Sequence, residues 1–311
     1  MISKIEYVHK SQMGTIKRCS RQLYYKDILQ LQTKFVNESA LAGQAVHKFA
    51  EEIYRSDKPD KWDDWKYWIE FFVDDLNLRK EECISNGIEI NYVEDLKAED
   101  YAEMIVEFLK QPYNRHAQPI LIESPFRFTI KRGRSQYKFE GRIDQLLKIN
   151  TKYLPFYEIS NAFGIKEVDI YIHRDIKSGR RTQHSDIGLA TDDDLNVYAY
   201  ALAYGMFDLK GSWEYNKLVH HIPFAHALYY MRDHNKYKRA TKEKKAGDYK
   251  GIGMYFIRKD LNDLKNMEDE LINLHKKINS GIYTRDGAVT GLCDRYCGFK
   301  DVCLHEWKKY G

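Results

Sequence analysis

The chain changes hydrophobic period along its length. Near the start, Leu23, Tyr24, Ile28 and Leu31 recur at helical spacing, with Cys19 at or near the head of that helix. Asn37 or Ser39 caps the next helix, whose apolar stripe is Leu41, Ala45, Phe49 and Ile53, with His47 off its centre. Residues 57–118 read as a helical insert. In it Trp62, Trp65 and Trp68 fall three apart as a packed face, and Cys83 lies alone as a buried structural thiol. From residue 119 the pattern turns to β. PILIESPFRFTIKRG, SQYKFEGRIDQLLKI and VDIYIHRDIKSGR are rich in β-branched and aromatic residues and read as successive strands. DDDLNVYAYALAYGMF reads as a helix, and PFAHALYYMRD and GIGMYFIRK as two strands around a basic loop. DLNDLKNMEDELINLHKKI is an amphipathic helix. This order predicts one α/β domain over 1–311, a mixed β-sheet flanked by helices.

Composition narrows the function classes. With 43% hydrophobic residues the 311-residue chain can bury a core, and with 31% charged residues it can face water. No apolar run approaches the roughly 20 residues of a membrane span. MISKIEYVHK lacks the apolar region of a signal peptide, so the expected location is cytoplasmic, away from membranes. A net charge of +4 permits a nucleic-acid partner without requiring one. The 24 tyrosines fill cores more often than they stack on bases. There is no P-loop and no internal repeat, so nothing points to a nucleotide-driven motor.

The five cysteines are Cys19, Cys83, Cys293, Cys297 and Cys303. An odd count without a signal peptide argues against a disulfide framework. Three of the five crowd into GLCDRYCGFKDVCLHEW, which favours a metal, yet structural zinc and iron–sulfur sites usually want four ligands. His305 offers a local fourth ligand for zinc.

In HRDIKSGRR, strand periodicity points Asp175 and Lys177 the same way and Ile176 into the core. FEGRIDQLL places Asp144 on another strand. Two carboxylates converging at a sheet edge suit Mg²⁺ or Mn²⁺, and a neighbouring lysine can orient water or stabilise a charged transition state. A neutral His47 imidazole would suit Mn²⁺ as a further ligand. Each feature has a plainer reading: Asp-x-Lys is commonly a solvated strand face, and a lone helical histidine is commonly just packed.

Taken in order, the motifs resemble the RecB-type branch of the PD-(D/E)XK nucleases. They are most similar to its iron–sulfur members, the CRISPR-associated exonuclease family and the AddB nuclease domain. The matching residues are the cysteine of KRCSRQLYY, the histidine of GQAVH, GRID, DIKSG, the tyrosine helix LNVYAYA and the C-terminal cysteines. The resemblance implies a metal-dependent deoxyribonuclease, more an exonuclease than an endonuclease, acting on DNA ends or single strands. It implies a [4Fe–4S] cluster on Cys19, Cys293, Cys297 and Cys303, joining residues 1–35 to 280–311. It implies Mn²⁺ or Mg²⁺ on His47, Asp144, Asp175 and the Ile176 carbonyl, with Lys177 as catalytic lysine and Tyr198 beside the site. Asp194 stands where the family has a glutamine, and the long interval after Asp144 leaves Glu158 as a rival to Asp175.

For DNA binding, the candidate phosphate contacts are Arg180, Arg181, Lys236, Lys238, Arg239, Lys242, Lys244 and Lys245, although lysine runs are commonly solvated loops. The setting implied is phage or mobile-element replication and recombination, or CRISPR spacer processing, with a helicase or recombination partner. The alternatives are a catalytically idle iron–sulfur scaffold and a zinc-stabilised nucleic-acid-binding protein.

Overall fold

The computed structural model describes residues 5–58, 60–92, 98–154, 167–178, 193–215, 223–231, 254–285, 293 and 297–310. The chain begins with β1 (Tyr7–His9), α1 (Lys10–Arg18), α2 (Ser20–Leu23) and a π-turn at Tyr24–Ile28. Then come β2 (Phe35–Asn37), α3 (Glu38–Arg55), α4 (Trp65–Ser85), β3 (Glu89–Asn91), α5 (Ala98–Lys110) and α6 (Pro112–Arg115). The sheet-forming half follows: β4 (Gln118–Arg132), β5 (Ser135–Asn150), β6 (Asp169–Lys177), α7 (Asp193–Tyr204), β7 (Met206–Leu209), β8 (Ser212–Tyr215), β9 (Ala225–Tyr230) and β10 (Met254–Ile257). The chain ends with α8 (Leu261–Ile278) and α9 (Lys300–Tyr310).

The described strands make a mixed sheet in the order β10-β9-β6-β5-β4-β7-β8, with β1 added parallel to β5. β4 and β5 form a long hairpin whose two-residue turn holds Gly133 at φ 59°, a conformation that favours a residue without Cβ. β6 runs antiparallel to β5 and parallel to β9.

Two apolar clusters clothe this sheet. One packs Phe49, Phe72 and Phe108 of α3, α4 and α5 against Leu147, Ile172 and Tyr229 of the sheet. The other packs Ile16 of α1, Leu202 of α7 and Leu271 of α8 against Phe128 and Phe139 of the hairpin. The sheet-with-helices architecture therefore follows the predicted mixed α/β pattern.

Details differ from the sequence expectation. Within residues 57–118 the described elements are α4, β3, α5 and α6, and β3 pairs in parallel with β2 as a separate two-stranded sheet. Of the three tryptophans only Trp68 is fully buried; Trp65 opens α4 at 43% exposure, and Trp62 precedes the helix. Cys83 is half-buried against the first cluster rather than enclosed. The helix around Leu23 stops at the π-turn, leaving Leu31 exposed. The helix read through GMF ends at Tyr204, and Gly205 leads into a short β7–β8 hairpin that the pattern does not mark.

Arg174 joins the insert to the sheet. It is 1% exposed, and its guanidinium donates to Gln145 Oε1 at 2.7 and 2.5 Å, to the Tyr54 hydroxyl at 3.1 Å and to Asn114. The Tyr229 and Phe108 rings lie 5.0 and 5.5 Å away. These bonds tie α3, α6 and β5 to β6 one residue before Asp175. A buried guanidinium left without acceptors would cost several kcal/mol, so this network fixes the strand that carries the site.

Candidate active site

Strand register assembles the site. Gln145 of β5 lies opposite Arg174 of β6, so the next positions, Asp144 and Asp175, are neighbours. Part of the long interval between them in sequence is strand: β5 continues to Asn150 and β6 starts at Asp169. Asp144 is 6% exposed and Asp175 2%. The Ile176 N–H donates to Asp144 Oδ2 at 3.0 Å. Lys177 Nζ sits 2.7 Å from Asp175 Oδ2, with a third of its side chain open to solvent. Ile176, between them, is buried in the first apolar cluster.

α3 and β4 complete the group. His47 Nδ1 lies 3.1 Å from Glu123 Oε1 and 3.5 Å from Asp144 Oδ2. His47, Glu123 and Asp144 bring one ligand atom each to within 4.8 Å of one another. Asp175 stands next to this trio through Asp144. Gly43 lets α3 come close here, since a Cβ at that position would lie 3.3 Å from Ser178 Oγ.

Sequence reasoning missed Glu123. It looks like any acid in an edge-alternating strand, yet its φ is +45°, a left-handed backbone that costs a non-glycine residue roughly 1–2 kcal/mol. That conformation is visible only in three dimensions. Lys10 was missed as well: its Nζ donates to the Tyr198 hydroxyl at 2.6 Å, and Tyr198 donates to Asp144 Oδ1 at 3.3 Å.

The charges are strongly perturbed. Burial and the adjacent Asp175 push Asp144 up to about 7. Burial would raise Asp175 too, but Lys177 and Lys10 outweigh it and hold that carboxyl low. Burial opposes charge on His47, yet Asp144 and Glu123 overcome it and raise the imidazole to about 9. Crowded carboxylates with an imidazole make a donor set fitted to a hard divalent cation such as Mg²⁺ or Mn²⁺. A groove of about 490 Å³ opens over His47 and Glu123, flanked by Lys48, Arg79 and Arg142.

Glu158, Arg180, Arg181, Lys236, Lys238, Arg239, Lys242, Lys244 and Lys245 lie outside the described residues, as does the side chain of Asp194.

The chain ends meet near the cysteines. Cys19 caps α2 and is buried. Burial raises the Cys297 thiol, and the neighbouring Cys293, Cys19 and Cys303 raise it further, opposed by the Phe299 backbone. Arg21 and Tyr25 both reach Glu306 of α9, and the Ser20 hydroxyl donates to the Thr284 carbonyl at 3.1 Å. The four thiols are thus electrical neighbours, but no three gather within 4.8 Å, and exposed His305 joins no such group.

Over residues 10–156 the chain matches the PD-(D/E)XK nuclease superfamily. Lys10, His47, Glu123 and Asp144 lie inside the matched stretch; Asp175 and Lys177 lie on the strand that follows. The His47–Glu123–Asp144 group, three side chains that could hold a metal ion, falls wholly within the matched stretch. The match does not separate the RecB-type or iron–sulfur branches from the rest of the superfamily. No curated protein matches the chain. Among solved structures, "Crystal structure of SSO0001" is similar at 14% identity, with a TM-score of 0.33, over 94% of this chain and 96% of that one. Among the described residues, no helix is long and apolar enough to cross a membrane.

Proposed function

We propose that the protein is a metal-dependent deoxyribonuclease that hydrolyses phosphodiesters, working as an exonuclease on DNA ends or single strands. The observation that carries this reading is the side-by-side placement of Asp144 and Asp175, with Lys177 2.7 Å from Asp175 and His47 and Glu123 across from Asp144.

Asp144, Asp175, His47 and Glu123 would hold the divalent ion, with the Ile176 carbonyl as a further oxygen. When bound, such an ion polarises a phosphoryl oxygen and lowers the pKa of an attached water. Asp175 keeps the Lys177 ammonium at the mouth of the site, where it can donate to an attacking water or to the charge building on the phosphate. Tyr198 holds Asp144 from behind. The groove over His47 is lined by Arg142, Arg79 and Lys48, which would meet the phosphates of a DNA strand laid along it. Arg180, Arg181 and the lysines of residues 236–245 would extend that phosphate contact.

We assign the four cysteines to a [4Fe–4S] cluster. A single zinc ion, at 2.3 Å from each sulfur, needs sulfurs about 3.8 Å apart. No three of the four thiols lie within 4.8 Å of one another, wider than that spacing, and a four-iron core is the larger group. The setting is DNA recombination, replication or CRISPR spacer processing, alongside a partner such as a helicase.

The test is cleavage of labelled linear and circular DNA, single- and double-stranded, by anaerobically purified protein with Mn²⁺ or Mg²⁺. Wild type should degrade linear DNA, and Lys177→Ala should lose at least about 100-fold in rate. Equal cutting of circles would replace the exonuclease with an endonuclease. A folded, metal-loaded protein that cuts nothing would leave the idle scaffold as the better reading.

A further inference from the structure

We propose that Lys10 is a positioning residue of the metal site, acting through Tyr198 to hold Asp144 in its ligating orientation. This rests on the divalent-ion site proposed above.

The argument starts from what each group can donate. An ammonium has donors and no acceptor. The 2.6 Å contact therefore makes the Tyr198 oxygen the acceptor from Lys10. A phenol has a single proton, and with its oxygen turned to Lys10 that proton is directed onward. Asp144 Oδ1 lies 3.3 Å away and receives it. The other oxygen, Oδ2, is fixed by the Ile176 N–H at 3.0 Å and faces His47 at 3.5 Å. One carboxylate oxygen is thus anchored from behind while the other faces the ligand group.

The placement of Lys10 is built into the fold. β1 pairs in parallel with β5, with His9 opposite Glu140, and α1 begins at the next residue. Gly141, beside that pair, leaves room for Lys10: a Cβ there would lie 3.1 Å from the Lys10 Cβ. The Lys10 ammonium also lies over the Tyr198 ring, 4.2 Å from its centroid, which keeps the ring from turning away. Tyr198 is itself 1% exposed and packed edge-on to Phe126.

Two effects of Lys10 on a bound cation oppose each other. Its positive charge repels the ion, so by electrostatics alone its removal would tighten binding. Its orientation of Asp144 favours the ion, so loss of that orientation would weaken binding. Outer-shell partners of metal ligands typically govern about 10–100-fold in affinity. Lys10 also favours the ionised carboxylates, so the separating variant is Tyr198→Phe, which removes the bond to Asp144 and leaves the Lys10 charge in place.

The experiment is calorimetric titration of Mn²⁺, without DNA, into wild type, Lys10→Met, Lys10→Arg, Tyr198→Phe and the Lys10→Met/Tyr198→Phe double variant. Lys10→Met should weaken Mn²⁺ binding by about 10-fold or more, and Tyr198→Phe by a similar factor. The double variant should be no weaker than the worse single one, because both act through one chain of bonds. Lys10→Arg should recover most of the affinity. Unchanged or tighter binding by Lys10→Met overturns the proposal, as do losses that multiply in the double variant. A Lys10→Met protein that fails to fold assigns Lys10 to structure instead. If wild type binds no Mn²⁺, the metal-site reading falls and this inference falls with it; a failure confined to the Lys10 variants leaves that reading standing.

Discussion

His226 and His173 face each other across β9 and β6, fully buried, with their Nδ1 atoms 3.2 Å apart. Burial pulls His226 down to about 3, with the charge of Lys259 adding to it. Burial and the neighbouring His226 hold His173 well below the ordinary histidine range. Both rings are therefore neutral in the folded protein. In the unfolded chain each takes up a proton below about pH 6.5. The unfolded state then binds more protons, so stability declines as pH falls below about 6.5, for His226 down to about 3, by up to about 1.4 kcal/mol per pH unit for each ring still neutral. His226→Leu should flatten that decline by about 1 kcal/mol per unit between pH 6 and 4, read from denaturant midpoints. A variant with the wild-type slope would show that other groups govern acid unfolding.

At the scale of elements, the approach of α1 and β4 to β5 depends on Gly141. A Cβ there would sit 2.6 Å from Phe126 Cζ and 3.1 Å from Lys10 Cβ, and Phe126 is fully buried. Gly141→Ala should therefore cost about 1–3 kcal/mol, measured by denaturant unfolding with an unchanged m-value. Gly14, inside α1 with nothing within 4 Å of its missing Cβ, is the control: Gly14→Ala should stabilise by about 0.5–1 kcal/mol. The same contrast explains what was legible in the sequence. β4, β5, β6, α3 and α8 announce themselves because a long run of one period survives in each, and β9 and β10 through short apolar, aromatic-rich runs. Three-residue β1 and β3 and four-residue β8 carry no period, so their pairing is decided by tertiary contacts. Asp144, Asp175, Lys177 and His47 stand in short local motifs. Glu123 and Lys10 do not: one is brought in by a left-handed backbone and the other by a parallel strand far away in the chain. Strand periodicity allows Asp144 and Asp175 to converge at a sheet edge, and the register of β5 on β6 makes them neighbours.

At the scale of the whole molecule, the question is how much the proposed cluster contributes beyond the protein contacts at the chain ends. A link between distant residues stabilises mainly by restricting the unfolded chain, and the effect on the native fold depends on what else holds those ends. Here much else does. β1 is paired into the main sheet, Ile5 is bonded to Asn279 at 2.8 Å, and Lys17 meets Glu270 at 2.9 Å. Tyr24 stacks on Tyr283. Nearer the tail, the contacts among the described residues include Glu306 with Arg21, Tyr25 and Arg285, Asp301 with Lys34 in an exposed pair, the Lys34 N–H on the Gly298 carbonyl, and Phe299 against Tyr25. Exposed ion pairs add only about 0–1 kcal/mol each. The cluster should therefore hold the tail rather than the core. Anaerobically purified protein should contain iron and acid-labile sulfide in the ratio of a four-iron cluster; stoichiometric zinc without iron would assign the cysteines to zinc. Cys297→Ser should lose the iron and become open to proteolysis within the segment beyond Thr284. The main thermal transition and the helical circular dichroism should persist, because both apolar clusters lie elsewhere. Collapse of the whole fold in Cys297→Ser would instead make the cysteine module an obligate part of the core, with the two ends of the chain depending on it.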